Sequence, residues 1–119
     1  MKIAVTSQNR REITSHAGKC RKFWIYQIDE QKQVQDKQLL ELPLEQSFHN
    51  SPANQPHPLD GIDVLISQGM GNGMLNRLQR MNAEAVMTLE KQPDVAVEQF
   101  LAGTLQRLSP DEIEHHHHH

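Results

Sequence analysis

Two short stretches of this chain hold side chains and backbone capable of chemistry. From Thr14 to Cys20 the sequence reads Thr-Ser-His-Ala-Gly-Lys-Cys. His16 offers an imidazole and Cys20 a thiolate, both competent ligands for a soft or borderline metal. Lys19, Arg21 and Lys22 flank them, and such neighbours are expected to lower the Cys20 pKa and attract anions. A closed zinc site takes about four ligands, so a third is sought in the later proline-bearing loop, at His57 or His49. Each residue alone has a plainer reading, an exposed loop histidine and a buried, inert cysteine. The second stretch, Asp63 to Leu78, reads DVLISQGMGNGMLNRL. An apolar run enters a turn with Gly69, Gly71 and Gly73, and Met74, Leu75, Leu78 and Met81 then recur at helical spacing. A strand ending in bare backbone at a helix N-terminus presents unpaired N–H groups to an anion.

Known chemistries fit these stretches unequally. A dinucleotide fingerprint needs glycine at the first, third and sixth positions of its turn. Gly69 and Gly71 comply, but Met74 stands where the third belongs, although Glu90 lies where a ribose-binding acid would. No lysine followed by serine or threonine comes after the glycines, so a P-loop is excluded. A Cys–His nucleophile needs an orienting third group, and no Asn or Asp marks one. A two-metal nuclease needs clustered carboxylates, and the first strand has none. Catalysis is therefore not expected, and neither is a nucleotide. A glycine turn that merely packs tightly on a neighbour stays open.

The elements that position these stretches follow from local pattern. Lys2 to Ser7 reads as a short central strand, and Gln8 to Arg21 as a long polar loop. Lys22 to Ile28 (KFWIYQI) is a strand rich in aromatic and β-branched residues. Asp29 to Lys32 turns the chain, and Val34 to Leu42 returns antiparallel. Pro52, Pro56 and Pro58 oppose a regular helix across Glu45 to Asp60, leaving a loop with at most one helical turn. Strand Asp63 to Ser67, helix Gly73 to Met81, strand Ala85 to Leu89 and helix Pro93 to Leu108 complete the chain. Pro93 suits a first helical position, and Asp94 complements the helix dipole. Val97, Phe100, Leu101, Leu105 and Leu108 form one apolar stripe. Two strand–helix units imply parallel strands with right-handed crossovers. The sum is an α/β mixed sheet of about five strands, an antiparallel meander of three and then two parallel strands.

Composition bounds the rest. At 119 residues one domain is expected over 1–108, burying roughly 65% of its unfolded surface. Residues 109–119 form a tail in which His115 to His119 read as a purification tag beginning at Glu114. A single cysteine forbids an intrachain disulfide and favours a reducing, cytoplasmic setting. No apolar run approaches membrane length. Net charge is −3, yet residues 1–22 carry six cations against Glu12 alone. A basic segment on an acidic body points to local anion attraction, not to nucleic acid.

Together the two stretches resemble the dinitrogenase iron–molybdenum cofactor biosynthesis family, small domains related to nitrogenase cofactor carriers. The likeness runs from Lys2 to about Leu105. It rests on a "KIAV" strand, a His-x-Gly loop, an aromatic strand, a "DVLI" strand entering Gly-x-Gly, and a final "FLAG" helix. The family's loop usually reads His-Phe-Gly-Arg. Here His16-Ala17-Gly18-Lys19 keeps the histidine, the glycine and a cation while losing the aromatic. Its second motif is usually Gly-Gly-Ile-Gly or Gly-Gly-Met-Gly. Here Gln68 replaces the first glycine before Gly69-Met70-Gly71.

The resemblance implies a ribonuclease H-like fold without nuclease activity. It also implies an iron–molybdenum or related metal–sulfur cluster bound between the two loops, the domain serving as a carrier or assembly factor. On that reading His16, Cys20 and His57 ligate the metal, while Gly18, Lys19, Arg21, Gly69, Met70, Gly71, Asn72 and Gly73 hold the anionic cluster. A cluster donor or acceptor protein is the expected partner. The competing reading is a protein–protein adaptor or small-anion-binding domain that has lost the metal.

Overall fold

A computed structural model describes residues 1–51 and 56–108. Pro52, and the tail with Glu114 and His115 to His119, lie outside the described residues. Five strands form one sheet: β1 (Lys2–Thr6), β2 (Lys22–Ile28), β3 (Val34–Glu41), β4 (Val64–Ser67) and β5 (Glu84–Met87). Their spatial order is β3-β2-β1-β4-β5. β1, β2 and β3 pair antiparallel, and β4 and β5 continue parallel to β1. This is the ribonuclease H-like mixed sheet that the sequence leads one to expect.

Alternation along the strands divides the core in two. Ala4, Phe23 and Leu65 bury one face together with Met74 and Leu78 of α1 (Asn72–Arg80). Ile3, Val5, Tyr26, Ile28, Val64, Ile66 and Val86 bury the other, together with Ala96 and Val97 of α2 (Pro93–Ala102). Both central parallel strands are buried on both faces, so they read as unbroken apolar runs.

Several boundaries differ from the sequence-based expectation. α2 stops at Ala102, not Leu108, because Gly103 adopts φ 75° and closes the helix. The chain then runs back along β5: the Leu108 amide donates to the Met87 carbonyl at 2.7 Å. Leu105 still packs in the α2-side cluster, but from this return segment and not from a helical stripe. β5 ends at Met87, two residues early, leaving Leu89 exposed. β3 ends at Glu41, β4 begins at Val64, and α1 spans Asn72–Arg80, one residue earlier at each end than expected. Among its described residues the proline-bearing loop contains one short 3₁₀ turn, Leu44–Gln46.

Candidate functional site

The loop after β1 and the turn after β4 leave the same end of the sheet, beyond the carboxyl ends of adjacent parallel strands. That is where open α/β sheets place their ligands. Backbone bonds tie the two segments together. The Gln68 amide donates to the Thr14 carbonyl at 3.1 Å, and the Ala17 amide donates to the Gly69 carbonyl at 3.3 Å. Beneath them lies a knot of buried hydroxyls. Thr6 Oγ1 donates to the Thr14 carbonyl at 2.6 Å, and Ser67 Oγ reaches the same carbonyl at 3.0 Å. A Cβ added at Gly69 would sit 3.6 Å from that of Ser15. That is ordinary van der Waals contact, so the two loops touch here without packing that requires a glycine.

His16 lies at the crest of its loop, exposed, with φ 57°. Its carbonyl accepts the amides of Lys19 and Cys20 at 2.9 and 3.0 Å, closing a tight turn around Ala17 and Gly18. Lys19 is exposed as well. Arg21 is half-buried, its Nε donating to the Leu42 carbonyl at 2.9 Å. At the other wall, Gly71 caps α1 without a side-chain acceptor, and the first turn holds no acidic residue. Among the described residues the amides of exposed Gly71, Asn72 and Gly73 have no hydrogen-bond partner, so donors and positive dipole face outward. Met70 is half-buried against the α1-side core.

Two of the expected ligands point elsewhere. Cys20 is 3% exposed and its Sγ donates to the Lys22 carbonyl at 3.1 Å. Burial pushes its thiol up, and backbone hydrogen bonds near Lys22, Ser7 and Arg21 offset this only in part. The expected lowering by flanking cations is thereby corrected: desolvation raises the thiol, and hydrogen bonds, not the cations, are what oppose it. His57 is also buried, stacked on Phe48 with ring centroids 4.4 Å apart. Its Nδ1 accepts the Leu59 amide at 3.0 Å, and its Nε2 meets the Gln46 carbonyl at 2.6 Å. Both ring nitrogens are used, so His57 organises the proline-bearing loop and has no lone pair left for a metal.

His49, the alternative named from sequence, is exposed, and its amide donates to the Gly18 carbonyl at 2.6 Å. A groove of about 300 Å³ lies there, between Gly18 and His49 on one side and Gly73, Arg77 and Arg80 on the other. Arg77 escaped the sequence reading. Its guanidinium donates to the Phe48 and Ser51 carbonyls, both at 2.8 Å, and lies 4.8 Å from the Phe48 ring centre. It thereby clamps the 48–51 segment onto α1. The available signal was its position four residues after Gly73, on the same helix face.

Among the described residues no group of three or more His, Cys, Asp or Glu side chains is placed to hold a metal ion. What the site offers is one exposed imidazole, a second across Gly18, and unpaired amides. The fold is a small α/β domain of ribonuclease H-like architecture. The chain belongs to the dinitrogenase iron–molybdenum cofactor family, which it matches over residues 1–103.

Solved structures agree on the fold. PH0822 superposes with TM-score 0.74 at 17% identity, over 92% of this chain and 96% of its own. A dinitrogenase candidate from Methanocaldococcus jannaschii gives 0.69 at 17% identity, over 92% and 95%. The apo form of the orange protein from Desulfovibrio gigas gives 0.61 at 17% identity, over 91% and 92%. A search of curated proteins returned no match. Among the described residues no helix is long and apolar enough to cross a membrane.

Proposed function

We propose that this domain is a non-catalytic carrier for an iron–molybdenum or related metal–sulfur cluster. The observation that carries the reading is the Ala17–Gly69 bond, which makes the two loops one composite surface. A single metal ion would need about four protein donors, and the described residues do not group them. A preassembled cluster brings its own sulfides and needs only one or two ligands and compensation of its charge. His16 supplies the ligand. Lys19 and the amides of Gly71, Asn72 and Gly73 balance the negative charge, with Arg21 more distant and already engaged. Gly69 joins the two loops through its carbonyl, and the Gly18 carbonyl accepts the His49 amide. Cys20 and His57 leave the ligand set and keep structural roles. The exposed position of His16 suits transfer to and from a donor or acceptor protein in the cytoplasm.

The test is anaerobic reconstitution of protein lacking the His115–His119 segment, which binds metals itself, with iron, molybdate and sulfide. A visible absorption band should develop on wild type and on Cys20→Ala, and be lost on His16→Ala. If no chromophore forms on wild type, or His16→Ala binds equally well, the carrier reading fails. Metal-free protein that captures one stoichiometric partner would favour the adaptor instead.

A further inference from the structure

The two edges of the sheet are treated differently. β5 is covered by the return segment: Leu108 bonds Met87, Thr88 Oγ1 donates to the Gln106 carbonyl at 2.8 Å, and Arg107 reaches the Ala85 carbonyl at 3.2 Å. Among the described residues nothing covers β3 in this way, and it is exposed along nearly its whole length. An uncovered edge presents a row of unpaired backbone groups to another strand. Which residues present them follows from the ladder. The Leu42 amide donates to the Arg21 carbonyl at 2.7 Å. By antiparallel alternation Leu40 and Gln38 also turn inward to β2, and Lys37, Leu39 and Glu41 direct their N–H and C=O groups outward. The register shift in the β2–β3 pairing falls between Gln27 and Ile28, opposite the start of β3, so Lys37 to Glu41 remain regular.

We infer that Lys37 to Glu41 of β3 pairs antiparallel with the same segment of a second copy, centred on Leu39. A two-fold axis normal to the sheet keeps each face continuous, so residues set opposite one another must share a face. Self-pairing must therefore centre on a single residue. Centring on Asp36 or Lys37 sets like charges against each other. Centring on Gln38 sets Lys37 against the partner's Leu39 and Asp36 against the partner's Leu40. Centring on Leu40 sets Leu39 against the partner's Glu41. Only the Leu39 register, among these, sets Lys37 opposite the partner's Glu41, twice by symmetry. It also joins Leu39, 37% exposed, to its own copy.

Opposite charges and apolar pairs across strands each stabilise, and like charges oppose. The Lys37 ammonium already serves its own subunit, so the partner's Glu41 would be a second carboxylate beside it. Lys37 Nζ lies 2.8 Å from Asp94 and 4.4 Å from the Trp24 ring centre. The paired strands are short, so the association is concentration-dependent.

Sedimentation equilibrium of protein without the His115–His119 segment, from micromolar to millimolar concentration, tests this. Wild type should dimerise, and Glu41→Lys should weaken the dimer about tenfold or more. In the Leu39 register the two Leu39 Cα atoms stand about 5.5 Å apart, within the reach of a disulfide. Leu39→Cys should therefore cross-link under mild oxidation much faster than Gln35→Cys, which lies outside the paired stretch. Trp24 fluorescence and circular dichroism confirm that each variant is folded. Wild type that stays monomeric at millimolar concentration overturns the inference. So does cross-linking of Leu39→Cys no faster than of Gln35→Cys.

Discussion

The Ala17 amide donates to the Gly69 carbonyl across 3.3 Å, joining residues fifty-two positions apart in sequence. This contact makes the His16 loop and the glycine turn a single surface. The hydroxyls of Thr6 and Ser67, converging on the Thr14 carbonyl, hold that surface from below.

Gly73 separates stability from binding. A Cβ there meets nothing within 4 Å, and the residue is already helical. Gly73→Ala should therefore stabilise the fold, by about 0.5 kcal/mol, in a urea titration. If the cargo approaches the α1 N-terminus, the same variant should take up less reconstituted chromophore.

Cys20 should behave as a core residue. Its burial and raised pKa keep the thiolate scarce. A thiol reagent should modify native protein far more slowly than unfolded protein, with the rate tracking denaturant-induced opening. Rapid labelling of the native state would return Cys20 to the list of ligands.

His57 imposes a pH dependence on stability. Burial, the largest influence, lowers its pKa from 6.5, and the Gln46 carbonyl offsets this only partly. As pH falls, the unfolded chain takes up the proton first. The contribution of His57 is thus complete above about pH 6.5 and is lost as pH drops from there toward the folded-state pKa. Urea midpoints measured downward from pH 7.5 should show the decline. His57→Phe should flatten it, while costing about 2 kcal/mol at neutral pH from the unpaired Gln46 carbonyl and Leu59 amide.

Arg77→Leu should release the 48–51 segment. It removes donors to two carbonyls that sit at 2.8 Å, a loss of about 2 kcal/mol. Hydrogen exchange should rise at the His49 amide, which the clamp holds against Gly18.

Much of the fold is legible in the sequence. Val64 to Ile66 and the KFWIYQI run announce strands by composition, and Met74 and Leu78 announce α1 by spacing. Such patterns are local, because a strand or helix buries residues at a fixed period. Even the early end of α2 had its signal in Gly103, where left-handed backbone stops a helix. The meander followed by two strand–helix units likewise constrains strand order, since crossovers have one hand.

The site was legible only as a list of candidates. His16, Cys20 and His57 are equally plausible ligands on paper, and no periodicity governs which way a loop side chain turns. Long-range contacts decided that. Ala17–Gly69 holds the His16 turn at the surface, the Lys22 carbonyl receives the Cys20 thiol inside, and Gln46, Leu59 and Phe48 occupy His57 on every side. The sequence by itself determined the sheet, its helices and the two loops that meet at its end. Only the tertiary structure selected among their side chains, because burial and hydrogen-bond partners arise between segments remote in the chain.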